Sequence, residues 1–233
     1  MAEGDSEVMS DSLPEFEIKV RPSPETGDHE VCLLAGGLDL VELFAPGLMG
    51  LDPGDLLVEP CSLFAEGEAH RAVIGRCSCG VIGCGSVEVN IQRADRLVSW
   101  TETYSARSVQ FDAAQYCKEV ERALCDYSWE SPERTAGRFI AREVDRLSLA
   151  KNGFEFRWAS GGTKEGMMTV SLELNPGPYQ VLISLPWDGK DIDGIVRQFT
   201  MILRQGPESW PEVGCHAQVG VLGLPPFSGP GWH

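Results

Sequence analysis

Positive charge and histidine are in short supply in this 233-residue chain: 19 Lys and Arg stand against 35 Asp and Glu, a formal net charge of −16, and only four histidines are present. That balance disfavours long-range attraction to a phosphate backbone or to anionic lipid, so nucleic acid is not an expected partner. Long apolar runs are missing too. Nowhere do 18 uncharged apolar residues follow one another, which excludes a conventional transmembrane helix. Met1 to Leu13 has neither the basic start nor the apolar stretch of a secretory signal, so a cytoplasmic location is expected.

Catalytic signatures are equally scarce, and the reading leans away from an enzyme. There is no G-x-S-x-G elbow, no H-E-x-x-H helix and no Rossmann glycine set. Ser160 to Gly166 contains glycines, Thr163 and Lys164, but a phosphate loop needs its lysine after the last glycine and at a helix start; this segment reads as a hairpin turn. Asp188, Asp191 and Asp193 lack calcium-loop spacing, and Asp191 is better explained as a helix cap.

What is present is an uneven acidity. Residues 1–70 hold 16 Asp and Glu against Lys19 and Arg21, whereas the remaining two thirds of the chain carry a net of only −2. A solvated charged end is one reading; an acidic surface steering a basic protein partner is the other. With 42% hydrophobic and 23% charged residues the bulk of the chain is globular in composition. Residues 1–14 read as a disordered acidic leader, 15–206 as a single domain and 207–233 as an irregular Pro/Gly-rich tail.

The periodicities point to an α+β fold: antiparallel β-meanders each followed by a helix, with helices packed on one face of the sheet. Phe16, Ile18 and Val20 alternate into one strand and Glu30 to Leu34 form a second. Leu38 to Phe44 reads as a helical turn, and Asp52-Pro53 opens a short helix. His70 to Cys77, Gly85 to Arg93 and Arg96 to Tyr104 make a three-stranded meander. Asp112 and Gln115 then form a capping-box pattern ahead of a helix. Ser131-Pro132 opens another helix, with Ala136, Phe139, Ile140, Val144 and Leu147 as one stripe to about Gly153. Strands led by Phe154, Phe156 and Trp158, by Met168 to Leu174 and by Tyr179 to Leu185 follow, and Asp191 caps a last helix. The two meander-helix units lie at about 70–130 and 150–206. Trp158 is expected in the core, Val219, Val221 and Leu222 in an edge strand, and Gly229 to His233 in a loose tail.

Eight cysteines in a long chain without a signal suggest reduced thiols and metal rather than a disulfide framework. Three of them, Cys77, Cys79 and Cys84, fall within eight residues on a glycine-rich loop between strands. Three readings of that loop stand: three corners of a structural zinc site, small apolar fillers of a tight loop, or a redox pair of Cys77 and Cys84. A zinc site needs a fourth donor, for which His70 is named first and Cys61, Cys215 and His216 are alternatives.

The C-x-C-G-x-x-G-C-G run at 77–85, with Trp100 and with Tyr116, Glu119, Asp126, Ser128, Trp129 and Glu130, resembles uncharacterised bacterial proteins that carry such a run. The resemblance spans roughly 70–130, about a quarter of the chain, and implies no known activity. The expected function is that of a soluble acidic binding or inhibitory module, of the immunity or regulatory kind, for a protein partner. The alternative is a zinc- or thiol-dependent enzyme centred on Cys77, Cys79 and Cys84.

Overall fold

The computed structural model describes residues 12–25, 28–79, 84–175, 177, 179–217, 223–225 and 228–233. Its buried hydrophobic side chains collect in two clusters, and the chain divides into two compact units, Met1–Trp129 and Glu130–His233. Where the sequence reading takes 15–206 as one domain, each unit has its own core. Both are α+β with antiparallel sheets, and no helix among the described residues is long and apolar enough to cross a membrane. Most of the leader, and Val219, Val221 and Leu222, lie outside the described residues.

The first unit begins with a hairpin, β1 (Phe16–Pro22) and β2 (His29–Ala35), continued by a two-residue β3 (Leu38–Asp39). Asp39 then caps α1 (Leu40–Phe44), and β4 (Met49–Gly50) and α2 (Pro53–Leu56) follow. As the Asp-Pro pair predicts, Asp52 caps α2, accepting from Gly54 N at 2.7 Å.

The expected meander is present as β5 (His70–Arg76), β6 (Ser86–Ala94) and β7 (Leu97–Glu102). It is wider than expected, because β4 pairs with β5 and a further strand, β8 (Ser108–Asp112), pairs with β7. Alternation of Val87, Val89 and Ile91 with half-buried neighbours turns one face of β6 into the core.

Asp112 ends β8 and caps α3 (Ala113–Leu124), accepting from Ala114 N and Gln115 N. Only half of the capping box forms. Gln115 does not reach back to its own cap; it accepts from Phe16 N at 3.0 Å and donates to Phe16 O at 2.6 Å. One turn on, Glu119 accepts from Ile18 N at 2.7 Å, and Arg122 donates to Ile18 O at 2.6 Å. Residues spaced at 115, 119 and 122 share a helix face, so α3 presents to the free edge of β1 the donors and acceptors that a neighbouring strand would offer. Beneath this clamp Phe16 stacks on Tyr116 with ring centroids 4.6 Å apart and meets Trp100 edge-on. The Tyr116 hydroxyl accepts from Trp100 Nε1 at 3.2 Å and donates to Leu63 O at 2.6 Å, so neither buried polar tip is left unpaired.

In the second unit Ser131 caps α4 (Pro132–Glu143). The predicted long helix breaks at Val144, whose backbone is extended, and Asp145 caps a separate α5 (Arg146–Lys151). The break rotates the stripe, so Val144 is buried while Leu147, expected on the same face, is 78% exposed. The sheet has the order β12-β11-β10-β9, from β9 (Phe154–Ser160), β10 (Met167–Leu174), β11 (Tyr179–Pro186) and β12 (Val213–Ala217). Between β11 and β12 lie α6 (Ile192–Leu203), capped by Asp191, and a 3-10 turn, Pro207–Ser209. At Gly137 α4 approaches β9 so closely that a Cβ would lie 2.5 Å from Ala159 O.

Two expectations fail here for physical reasons. Trp158 is not core. The β9–β10 register runs Phe156 against Leu172 and then Trp158 against Ser171, so Arg157 is an extra, bulged residue. One extra residue inverts a two-residue period, leaving Phe154 and Phe156 buried and Trp158 36% exposed.

Nor is the chain's end loose. Val213 N donates to Gly231 O at 2.8 Å, Cys215 N to His233 O and His233 N to Val213 O, both at 2.9 Å. Trp232 is buried, stacks on Trp210 and donates to Pro207 O at 3.0 Å. Gly229 fits because a Cβ there would lie 2.0 Å from Glu208 O; in this segment glycine permits close packing rather than slack.

Candidate metal centre

The β5–β6 hairpin sets the position of the cysteine loop. Arg76 pairs with Ser86, and one residue further Cys77 N donates to Gly85 O at 3.0 Å, so the two ends of the loop are pinned side by side. Cys77 and Cys79 enter from the β5 side and Cys84 from the β6 side. Gly80 to Gly83 lie outside the described residues; their sequence, Gly-Val-Ile-Gly, supplies no ligating side chain.

The three Sγ atoms lie within 4.8 Å of one another, and those of Cys77 and Cys79 are 2.8 Å apart. Around zinc, with bonds near 2.3 Å, tetrahedrally placed sulfurs sit about 3.8 Å apart, so small side-chain rotations bring this group to ligating distance. Cys79 and Cys84 are exposed and Cys77 half-buried, which is inconsistent with service as apolar fillers; Cys32 and Cys61, both buried, fill that role. The Cys84 thiol is pushed up to about 11 by hydrogen bonding to the Cys79 and Cys77 sulfurs and by the like charge they would carry. Mutual crowding of ionisable sulfur is the electrostatic condition that a cation relieves. Where β5 enters the loop, Arg76 Nε is the one buried side-chain nitrogen or oxygen among the described residues with no hydrogen-bond partner.

His70 is not part of this group. It begins β5 whereas Cys77 follows its end, six strand steps or about 20 Å from Arg76, and its Nε2 lies 2.9 Å from Ser62 O. Cys61 is buried, with its thiol donating to Leu56 O at 3.4 Å and pushed up by burial. Cys215 and His216 belong to β12 of the second unit. Among the described residues of the first unit, the fold brings together Cys77, Cys79 and Cys84 of those named from the sequence.

Sequence reasoning missed a groove of about 610 Å³ along the β1 edge, lined by Glu17, Lys19, Arg21, Cys32, Arg122 and Asp126 among others. It depends on contacts about a hundred residues apart, for which the local pattern carries no signal. Its charges pair with one another: Lys19 with Glu17 at 2.9 Å, and Arg122 with Glu119 at 2.8 Å and Asp126 at 3.1 Å. This closes the β1 edge and sets no nucleophile against a base. No protein family, curated protein or solved structure compared with the chain matches it.

Proposed function

We propose that this chain is a metal-binding protein that holds a zinc-class cation through the thiolates of Cys77, Cys79 and Cys84. The observation that carries the reading is the convergence of three sulfurs from both sides of one hairpin loop to within 4.8 Å. Thiolates are soft, anionic donors and suit zinc far better than magnesium or calcium. The ion would cross-link the two ends of the loop and supply a positive centre where three sulfurs otherwise repel. None of the three cysteines belongs to the first unit's hydrophobic cluster, so the metal orders the hairpin tip and the core does not depend on it. Purified full-length protein prepared without chelator is expected to contain one equivalent of zinc, lost in Cys79→Ser and retained in Cys125→Ser. Absence of stoichiometric metal from the unsubstituted protein would overturn the reading.

A second reading, a protein-binding module of the inhibitory or regulatory kind, is favoured by the charge. The first unit carries 23 acidic and 9 basic residues, a net of −14, against −2 for the second. Some of these acids have structural duties, as Asp39 and Asp52 do in capping helices and as buried Glu30 does in pairing with Arg21 at 2.8 Å. Asp55, Glu59, Glu66 and Glu68 are exposed and leave a negative stretch that complements a basic partner. Co-purification at low salt and release at high salt is the expected behaviour; no retained partner even at low ionic strength would remove this support.

A further inference from the structure

Within the sulfur group of the β5–β6 hairpin one pair is set off from the rest. The Sγ atoms of Cys77 and Cys79 are 2.8 Å apart, while 4.8 Å bounds the whole group. A disulfide bond is about 2.05 Å long, and sulfurs sharing a tetrahedral zinc sit about 3.8 Å from each other. The pair therefore stands about 0.8 Å from bonding and about 1 Å from the metal spacing, and side-chain rotation reaches either. Closure involves residues 77–79 alone. Cys77 keeps its backbone bond to Gly85 O at 3.0 Å, and only Ser78 separates the two cysteines in sequence. A bond to Cys84 would instead close through residues 80–83, which lie outside the described residues.

We propose that Cys77 and Cys79 close into a reversible disulfide when a peroxide is the oxidant, and that this step makes the hairpin give up its metal, the second part resting on the reading of these cysteines as one metal centre. One thiolate attacks a peroxide oxygen, the O–O bond breaks, and hydroxide departs from a newly formed sulfenic acid. The neighbouring thiolate then attacks that sulfur, an S–S bond forms, the S–O bond breaks and a second hydroxide leaves. Two thiols lose two electrons and two protons, and hydrogen peroxide becomes two waters. A neighbour already 2.8 Å away traps the sulfenic acid before it oxidises further. Disulfide sulfur carries no charge and is a poor ligand, so an ion held by three thiolates is left with Cys84 alone.

The test adds hydrogen peroxide to full-length protein loaded with zinc, following released zinc with a metallochromic dye and the thiols by alkylation and mass spectrometry. Trypsin cuts after Arg76 and Arg93, so all three cysteines fall in one peptide, 77–93. That peptide is expected to lose two hydrogens and to take an alkyl group at Cys84 only, with one zinc released per disulfide and both changes undone by dithiothreitol followed by zinc. Cys84→Ser should still close the disulfide, and Cys79→Ser should not. The reference thiol is Cys125, at the end of α3. A disulfide that includes Cys84, oxidation of the group to sulfinic acid, or Cys77 and Cys79 still open to alkylation after Cys125 is consumed would overturn the proposal and leave bound zinc, and with it the metal reading, in place. Zinc that never binds, beside a Cys77–Cys79 disulfide that forms all the same, would overturn the metal reading and the release step while the disulfide stands.

Discussion

In Met1–Trp129 the free edge of β1 is covered by side chains of a helix some hundred residues further along, whereas in Glu130–His233 the edge of β12 is covered by the backbone of residues 231–233. Both devices satisfy strand groups that would otherwise invite another chain to pair. They differ in what they respond to. Gln115, Glu119 and Arg122 include a carboxylate and a guanidinium, so the first edge is sensitive to protonation. The hydrogen bonds that Val213 makes with Gly231 and His233 join backbone amides, which do not titrate, and there the anchor is the buried indole of Trp232.

The largest expected effect breaks the second device. Trp210 is 1% exposed, meets the Phe154 ring at a tilt and stacks on Trp232, so Trp210→Ala should destabilise the second unit by about 3–5 kcal/mol, seen as a lower urea midpoint. Next comes the clamp. Glu119→Ala leaves Ile18 N without its acceptor and takes from Arg122 one of its two carboxylate partners, at a cost of about 1–3 kcal/mol to the first unit.

Acid should separate the two devices without mutation. Burial works against the charged form of Glu119, but the Arg122 guanidinium and Ile18 N–H outweigh it and hold the carboxyl below its usual range. A carboxylate depressed in the folded state contributes stability above its unfolded pKa and loses it as pH falls through the folded value. Denaturation of the first unit should therefore become easier as pH drops below the ordinary glutamate range, and Glu119→Gln should flatten that dependence.

Smaller still is the effect of chelator. Removing metal should loosen amide protection at the β5–β6 tip, lower the first unit's urea midpoint only as far as the folded hairpin holds the ion more tightly than the unfolded Cys77–Cys84 segment does, and leave the second unit's midpoint unmoved. Least of all, Leu147→Ala, at a side chain 78% exposed, should change stability by no more than about 0.5 kcal/mol.

Local pattern made the hairpin of β1 and β2, the β5–β7 meander, the caps at Asp52, Asp112 and Asp191 and the strands β10 and β11 legible, because each depends on residues a few positions apart. Trp158 departs from its expected place because alternation cannot announce a bulge; the extra residue at Arg157 is visible only once β10 is laid beside it. β8 escaped because the Thr103–Arg107 turn, with Ala106 at positive φ, hides so short a strand next to a helix cap. β12 and the docked end escaped because proline and glycine read as slack, although here Gly229 and Trp232 fit against Glu208 and Trp210. At the metal centre, spacing alone identified three ligands. His70 is suggested by residue type alone, and strand length places it at the far end of β5.

Trp210 and Trp232 lie with ring planes 9° apart and centroids at 6.0 Å. Indoles at this distance couple their electronic transitions to an extent set by the angle between their in-plane transition dipoles, so the second unit contains an optical gauge of its own closure. A split tryptophan band in circular dichroism reports the chain's last turn seated against the 3-10 turn. Loss of that splitting before the sheet signal fades would mark undocking of residues 229–233 as the first step of the unit's opening.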